Sequence, residues 1–116
     1  MTPAATTPLT GDARILLPPA IQKDAVIYVR ALVAHPMYTG MSRDEQGALI
    51  PEYYIKTVDV TYGGHRVARF QWTSGISRDP YVAFPLRATH EGPLHITWTD
   101  TKGRVYTQTA AIAFGG

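Results

Sequence analysis

The sequence predicts an all-β antiparallel sandwich. Short runs rich in Val, Ile, Tyr and Thr recur along the chain, and Gly, Pro or Asp interrupts each of them. Two of these runs are joined by Gly63-Gly64 alone, the shortest hairpin connection and one that needs positive φ. No stretch holds apolar residues at helical spacing long enough to predict a helix.

Residues 1–12 are rich in Thr, Pro and Ala without periodicity and are expected to form a flexible tail. Residues 13–17 form a first short strand, stopped by Pro18-Pro19, which cannot donate to a ladder. Residues 25–34, AVIYVRALVA, are almost continuously apolar and β-branched, which predicts a central strand buried on both faces. Residues 38–51 are a long polar connection with turn points at Gly40 and Gly47. From 53 to 62 the chain alternates, with Tyr54, Val58, Val60 and Tyr62 on one face and Thr57, Asp59 and Thr61 on the other; Lys56 breaks the apolar face near the strand's start. Residues 66–72 return from the glycine turn. Residues 81–88 follow Pro80, with Val82, Phe84 and Leu86 in register. Leu94, Ile96 and Trp98 share a face of the next strand, and a Thr101-Lys102-Gly103 turn leads into residues 104–114, with Tyr106, Ala110, Ile112 and Phe114 toward the core. The count and order are those of an immunoglobulin-like antiparallel β-sandwich of about seven strands with no disulfide, spanning residues 13–114, with 115–116 as a C-terminal tail. Trp72 and Trp98 both fit the buried tryptophan slot of such a fold.

Composition removes several functions. With 116 residues the chain is one domain, large enough for a core without staples. It has 0 Cys, so disulfides, thiolate nucleophiles, cysteine-type zinc sites, blue copper and iron–sulfur clusters are out. Its net charge of +2 comes from scattered Lys and Arg, without the dense basic footprint of a nucleic-acid binder. No apolar segment reaches the length of a membrane span. The opening MTPAATTPLTGDAR has neither a basic start nor an apolar run, so no secretory signal is expected in it.

Catalytic chemistry finds little support. Asp44 and Glu45 are neighbours in a polar loop and Asp59 sits on an outward strand face, whereas acid–base catalysis needs groups converging in a pocket. Thr73-Ser74-Gly75 is not a nucleophile elbow. No catalytic residue, cofactor or metal site is therefore assigned. The stretch HPMYTGM, residues 35–41, is the densest in chemistry. His35, Met37 and Met41 offer the imidazole and thioethers that Cu(I) prefers, so a copper-handling sandwich is one reading, although Pro36 disfavours convergence of His35 and Met37 on one ion. His65, His90 and His95 lie on other hairpins. The second reading is a partner-binding loop, in which Met adapts to varied surfaces, Pro36 limits the entropy lost on docking and Tyr38 anchors. The third is a corner packed on its own sandwich. The 7 tyrosines are many for this length and suit either an interface, including a shallow saccharide site, or plain strand propensity.

The blocks LVAHPMYTGM, LIPEYYI, Asp79-Pro80-Tyr81 with Phe84, and ITWTDTKGRVYT, in this order, resemble the SoxZ family. The resemblance runs from Arg14 to Phe114. It implies an immunoglobulin-like sandwich that is the non-carrier subunit of the SoxYZ complex of thiosulfate oxidation. The partner implied is SoxY, whose C-terminal Gly-Gly-Cys-Gly-Gly arm carries sulfur intermediates between enzymes, giving a heterodimer or higher heteromer with transient docking to other Sox enzymes. It also implies a periplasmic location reached with the partner's signal peptide. The ending Phe114-Gly115-Gly116 without Cys suits the partner and not the carrier arm. The expected partner-binding residues are His35, Pro36, Met37, Tyr38, Tyr53 and Tyr54. A sandwich that lives as half of a heterodimer is also expected to expose a large apolar face.

Overall fold

The computed structural model describes residues 10–115. Seven strands run in the order β1 (Ala13–Leu16), β2 (Val26–Val33), β3 (Ile55–Tyr62), β4 (His65–Gln71), β5 (Tyr81–Arg87), β6 (Gly92–Asp100) and β7 (Val105–Ile112), and no helix interrupts them among the described residues. They form two antiparallel sheets, β1-β2-β5 and β4-β3-β6-β7. The predicted sandwich is present, with each predicted strand displaced by a residue or two at most. Of the tail expected over 1–12, residues 1–9 lie outside the described residues, as does Gly116; Gly11 donates to the Ala34 carbonyl at 2.7 Å and Ala34 donates to that of Asp12 at 2.8 Å.

The core forms where alternate residues of the two sheets meet. Ile27, Val29, Ala31, Val33, Phe84 and Leu86 come from one sheet; Ile55, Val58, Val60, Leu94, Ile96 and Trp98 come from the other. Each large aliphatic or aromatic side chain buried in this way contributes roughly 1.5–3 kcal/mol. Phe70 of β4 reaches Phe84 of β5 at 5.8 Å between ring centroids, tying the sheets together. Trp98 takes the buried slot at 0% exposure, while Trp72 stays half-buried.

Two sequence expectations need correction. β2 is central in its sheet but is not buried on both faces: Val29, Ala31 and Val33 point into the core, whereas Val26, Tyr28 and Arg30 are exposed, because none of the described residues covers the outer side of β1-β2-β5. In β3, Ile55 and not Tyr54 joins Val58 on the core face. A register shift between Ile55 and Thr57 absorbs Lys56, which points to solvent, so the alternation slips by one residue there. The Gly63-Gly64 turn has φ of 60° and 85°, the double positive φ that a type I′ hairpin requires.

Candidate functional site

The corner at residues 35–41 leaves the end of β2 and immediately turns. The His35 amide donates to Asp79 Oδ1 at 2.9 Å, and the Asp79 amide returns a bond to the His35 carbonyl at 2.8 Å. Pro36 limits the next step, and Met37 then adopts φ 50°, a left-handed conformation that few non-glycine residues take. Local bonds hold it there. The Met37 amide donates to His35 Nδ1 at 3.1 Å, and Met37 Sδ accepts the Ile55 amide at 3.2 Å. Tyr38 and Tyr53 exchange backbone hydrogen bonds at 2.7 and 3.0 Å, so the polar connection is a short irregular hairpin with a second bridge at Arg43 and Leu49. Asp44 closes its tip by accepting the amides of Gln46 and Ala48, both at 2.9 Å, and that is the work of this carboxylate.

Beneath the corner lies a buried polar cluster that the sequence did not reveal as one. Asp100, at the end of β6, is 0% exposed. Its Oδ2 accepts the Tyr53 hydroxyl at 2.6 Å and the Tyr106 hydroxyl at 2.7 Å, and faces His35 Nε2 at 3.4 Å. Its Oδ1 accepts the amides of Lys102 and Arg104 at 2.9 and 3.0 Å, capping the β6–β7 turn. Because Nδ1 of His35 accepts the Met37 amide, the ring proton lies on Nε2 toward the carboxylate. Burial lowers the His35 pKa against the pull of Asp100, so the imidazole is neutral near pH 7. Burial raises the Asp100 pKa, but the hydroxyls of Tyr53 and Tyr106 and the turn amides reverse this and hold the carboxyl below its ordinary value. Both tyrosines are pushed up by burial and by the carboxylate they bond. Lys102 lies over the Tyr53 ring, its Nζ 4.1 Å from the centroid, which gives the buried anion a nearby cation.

The six expected partner residues therefore divide. His35, Met37 and Tyr53, at 1%, 4% and 8% exposure, form the inside of the corner; Pro36, Tyr38 and Tyr54 are half-buried at its surface. The structure gives no support to the copper reading. Both ring nitrogens of His35 are engaged, the Met37 sulfur accepts an amide, and Met41 stands 81% exposed. Among the described residues no group of three or more His, Cys, Asp or Glu could hold a metal ion.

The outer face of the three-stranded sheet is the largest feature that sequence reasoning anticipated only in general terms. Leu16, Val26, Tyr28 and Tyr81 are exposed on it. Cross-strand pairing places Tyr28 beside Pro85, Arg30 beside Ala83 and Leu16, Val26 beside Arg87, and Leu32 beside Tyr81 and Arg14. The face is thus apolar, studded with Arg14, Arg30 and Arg87, and carries no carboxylate within its strands. At one end it meets the corner, since His35 follows β2 and is bonded to Asp79 just before β5. The signal in the sequence was the apolar residues Val26, Tyr28 and Leu32 on the second face of β2.

Residues 15–111 match the family described as "Sulphur oxidation protein SoxZ". No curated protein matches the sequence. Among solved structures, the superoxide reductase (neelaredoxin) of Ignicoccus hospitalis superposes with a TM-score of 0.66 at 16% identity, over 91% of this chain and 82% of that one. A reduced variant of the Archaeoglobus fulgidus superoxide reductase (neelaredoxin) gives 0.65 at 17%, over 96% of each chain. The sulfur carrier protein SoxY of Chlorobium limicola f thiosulfatophilum gives 0.59 at 15%, over 85% of this chain and 71% of that one. At these identities the likeness shows a shared sandwich fold.

Proposed function

The chain belongs to the SoxZ family of sulphur oxidation proteins, and from that premise we propose that it is a non-catalytic scaffold which holds its SoxY-type carrier partner on the outer face of β1-β2-β5. One observation carries the location. An exposed apolar face with Val26 at 53%, Tyr28 at 63% and Tyr81 at 53% exposure is what half of a heteromer retains for its partner. Tyr and Arg are also the residue types enriched in interface centres. The corner supplies the rim, with Pro36, Tyr38 and Tyr54 as contacts and with His35, Met37 and Tyr53 holding its shape from within.

The carrier's C-terminal cysteine arm bears the sulfur intermediates, and this chain, with 0 Cys, takes no covalent part. Its work is to dock and orient the carrier in the periplasm, to which both are exported on the carrier's signal. Light scattering of this chain alone and with its carrier subunit tests the reading. A discrete heteromer is expected, and it should be lost in Tyr28→Glu while the thermal midpoint of the free domain is kept. A heteromer indifferent to Tyr28→Glu and Tyr81→Glu would move the contact off this face. No heteromer at all would end the scaffold reading. Subcellular fractionation of the two chains expressed together tests the location.

A further inference from the structure

β1 parts from β2 early. Leu16 lies opposite Arg30 and β1 goes no further, so residues 26–29 of β2 have a strand beside them only on the β5 side. The sequence gives the cause. Pro18 and Pro19 follow, neither able to donate, and the chain crosses to the other sheet, where Ile21 bridges Gly115.

Which groups face the resulting gap follows from the ladder. In an antiparallel strand the N–H and C=O of a residue point to one side, and the side alternates along the chain. Three bonds set the parity in β2. Ala88 donates to the Ala25 carbonyl and Val33 donates to the Pro80 carbonyl, both on the β5 side, whereas Ala34 donates to the Asp12 carbonyl on the β1 side. Even-numbered residues therefore turn away from β5. Val26 and Tyr28 direct their N–H and C=O groups into the gap, and among the described residues no hydrogen bond fills it. Pro85, paired with Tyr28, fits this parity because its position needs no donor toward β2. A groove of about 610 Å³ runs along the gap, with Leu16, Pro18, Pro19, Val26 and Tyr28 on its walls and Arg30 as its charged wall residue.

We propose that this gap receives an extended segment of the carrier subunit as an added strand beside β2, with a carboxylate of that segment on Arg30. The proposal rests on the scaffold reading above and specifies how the partner engages. Strand addition draws affinity from main-chain bonds and specificity from alternate side chains, and the gap offers both: two donors and two acceptors in phase, beside an apolar wall. Charge sets the chemistry of the incoming segment. Arg14, Arg30 and Arg87 stand on this face without a carboxylate in its strands, so an acidic residue on the segment is complementary. A second copy of this chain is disfavoured for the same reason, because its own β1, β2 and β5 hold no carboxylate to offer Arg30.

Amide hydrogen exchange of the full chain, alone and in complex with its carrier subunit, decides the matter. The Val26 and Tyr28 amides are expected to slow by about tenfold or more on complex formation, while the Ile27 amide, which faces β5, is protected in both states. Arg30→Gln is expected to weaken the complex by about tenfold without changing that pattern in what remains bound. A complex in which Val26 and Tyr28 exchange as fast as in the free chain would overturn strand addition and leave the scaffold reading standing. Absence of any complex would remove the scaffold reading and this inference with it. Protection that appears in the chain alone and grows with its concentration would assign the gap to a second copy and overturn the proposal. An unchanged affinity in Arg30→Gln would overturn the carboxylate contact.

Discussion

The hydroxyl of Tyr53 donates to Oδ2 of Asp100 at 2.6 Å across 47 positions of sequence, and this bond pins the corner to the β6–β7 turn. Oδ2 of Asp100 also takes the Tyr106 hydroxyl, while Oδ1 takes the two turn amides. Replacing Asp100 by Asn keeps the shape but removes the charge and turns an amide donor toward groups that are themselves donors. A loss of about 3 kcal/mol is expected, as for a buried charged network that loses a member. Tyr53→Phe should cost about 1–2 kcal/mol, because it deletes one charge-assisted bond and leaves the ring packing against His35. Urea denaturation of the three proteins checks the order; an Asp100→Asn variant as stable as the parent would mean the network adds nothing.

The same cluster makes stability depend on pH in a stated direction. The folded His35 pKa is below its ordinary value of 6.5, so below that pH the unfolded chain takes up a proton first and stability falls. Asp100 is also lowered, from 3.8, so its contribution is complete above that value and is lost as pH falls further toward the folded value. Tyr53 and Tyr106 are raised above 10.0; there the unfolded chain loses protons first, and stability falls as pH rises past that value. The expected profile is flat between about pH 7 and 9, with a first acid step absent in His35→Gln. Equilibrium unfolding in a pH series measures it, and a first step that persists in His35→Gln would assign that step to another group.

How much of this was legible in the sequence depends on the range of the interaction. Strands and turns were legible because they are local: Leu94, Ile96 and Trp98 alternate visibly, and Gly63-Gly64 announces its own turn. The exposed face of β2 was misread because Val26, Tyr28 and Leu32 are apolar, and a pattern records what avoids water and not what covers it. Tyr54 and Ile55 were exchanged because a bulge adds one residue on one strand only, which no period-2 count detects. The Asp100 cluster draws His35, Tyr53 and the Asp100–Tyr106 hairpin from three separate stretches, and nothing local marks His35 or Tyr53 as a partner of that hairpin. Family blocks placed His35 and Asp100 among notable residues, but did not place them together.

The β3–β4 turn separates two costs that usually arrive together. Gly63 and Gly64 both have positive φ, so alanine at either carries a left-handed strain of about 1 kcal/mol. At Gly64 a Cβ would meet nothing within 4 Å, whereas at Gly63 it would collide with His90 Nε2. That imidazole is stacked on Tyr62 with centroids 4.3 Å apart, so it must abandon the stack to make room. Gly63→Ala is therefore expected to destabilise by about 1 kcal/mol more than Gly64→Ala, and the excess should vanish in a His90→Ala background. Thermal or urea denaturation of this double-mutant cycle reads the difference directly; an excess that survives without His90 would place its origin in the backbone.

Met37 supplies the last prediction, and it concerns what the sulfur does. Leucine for methionine in a core is ordinarily a mild change of less than about 1.5 kcal/mol. Here Sδ accepts the amide of Ile55, a residue with 0% exposure, at the point where β3 enters the sheet. Leucine would fill the space and leave that N–H buried without an acceptor, which adds about 1–3 kcal/mol. Met37→Leu is thus expected to cost more than Met37→Gln would if burial of the amide group were free, and to speed exchange of the Ile55 amide specifically. The exchange rate of that single amide is the decisive reading. If it is unchanged while stability falls, the methionine acts only through volume; if it rises with the loss of stability, the thioether at this corner is a structural acceptor, and the chemistry that made the stretch resemble a metal site is already spent inside the fold.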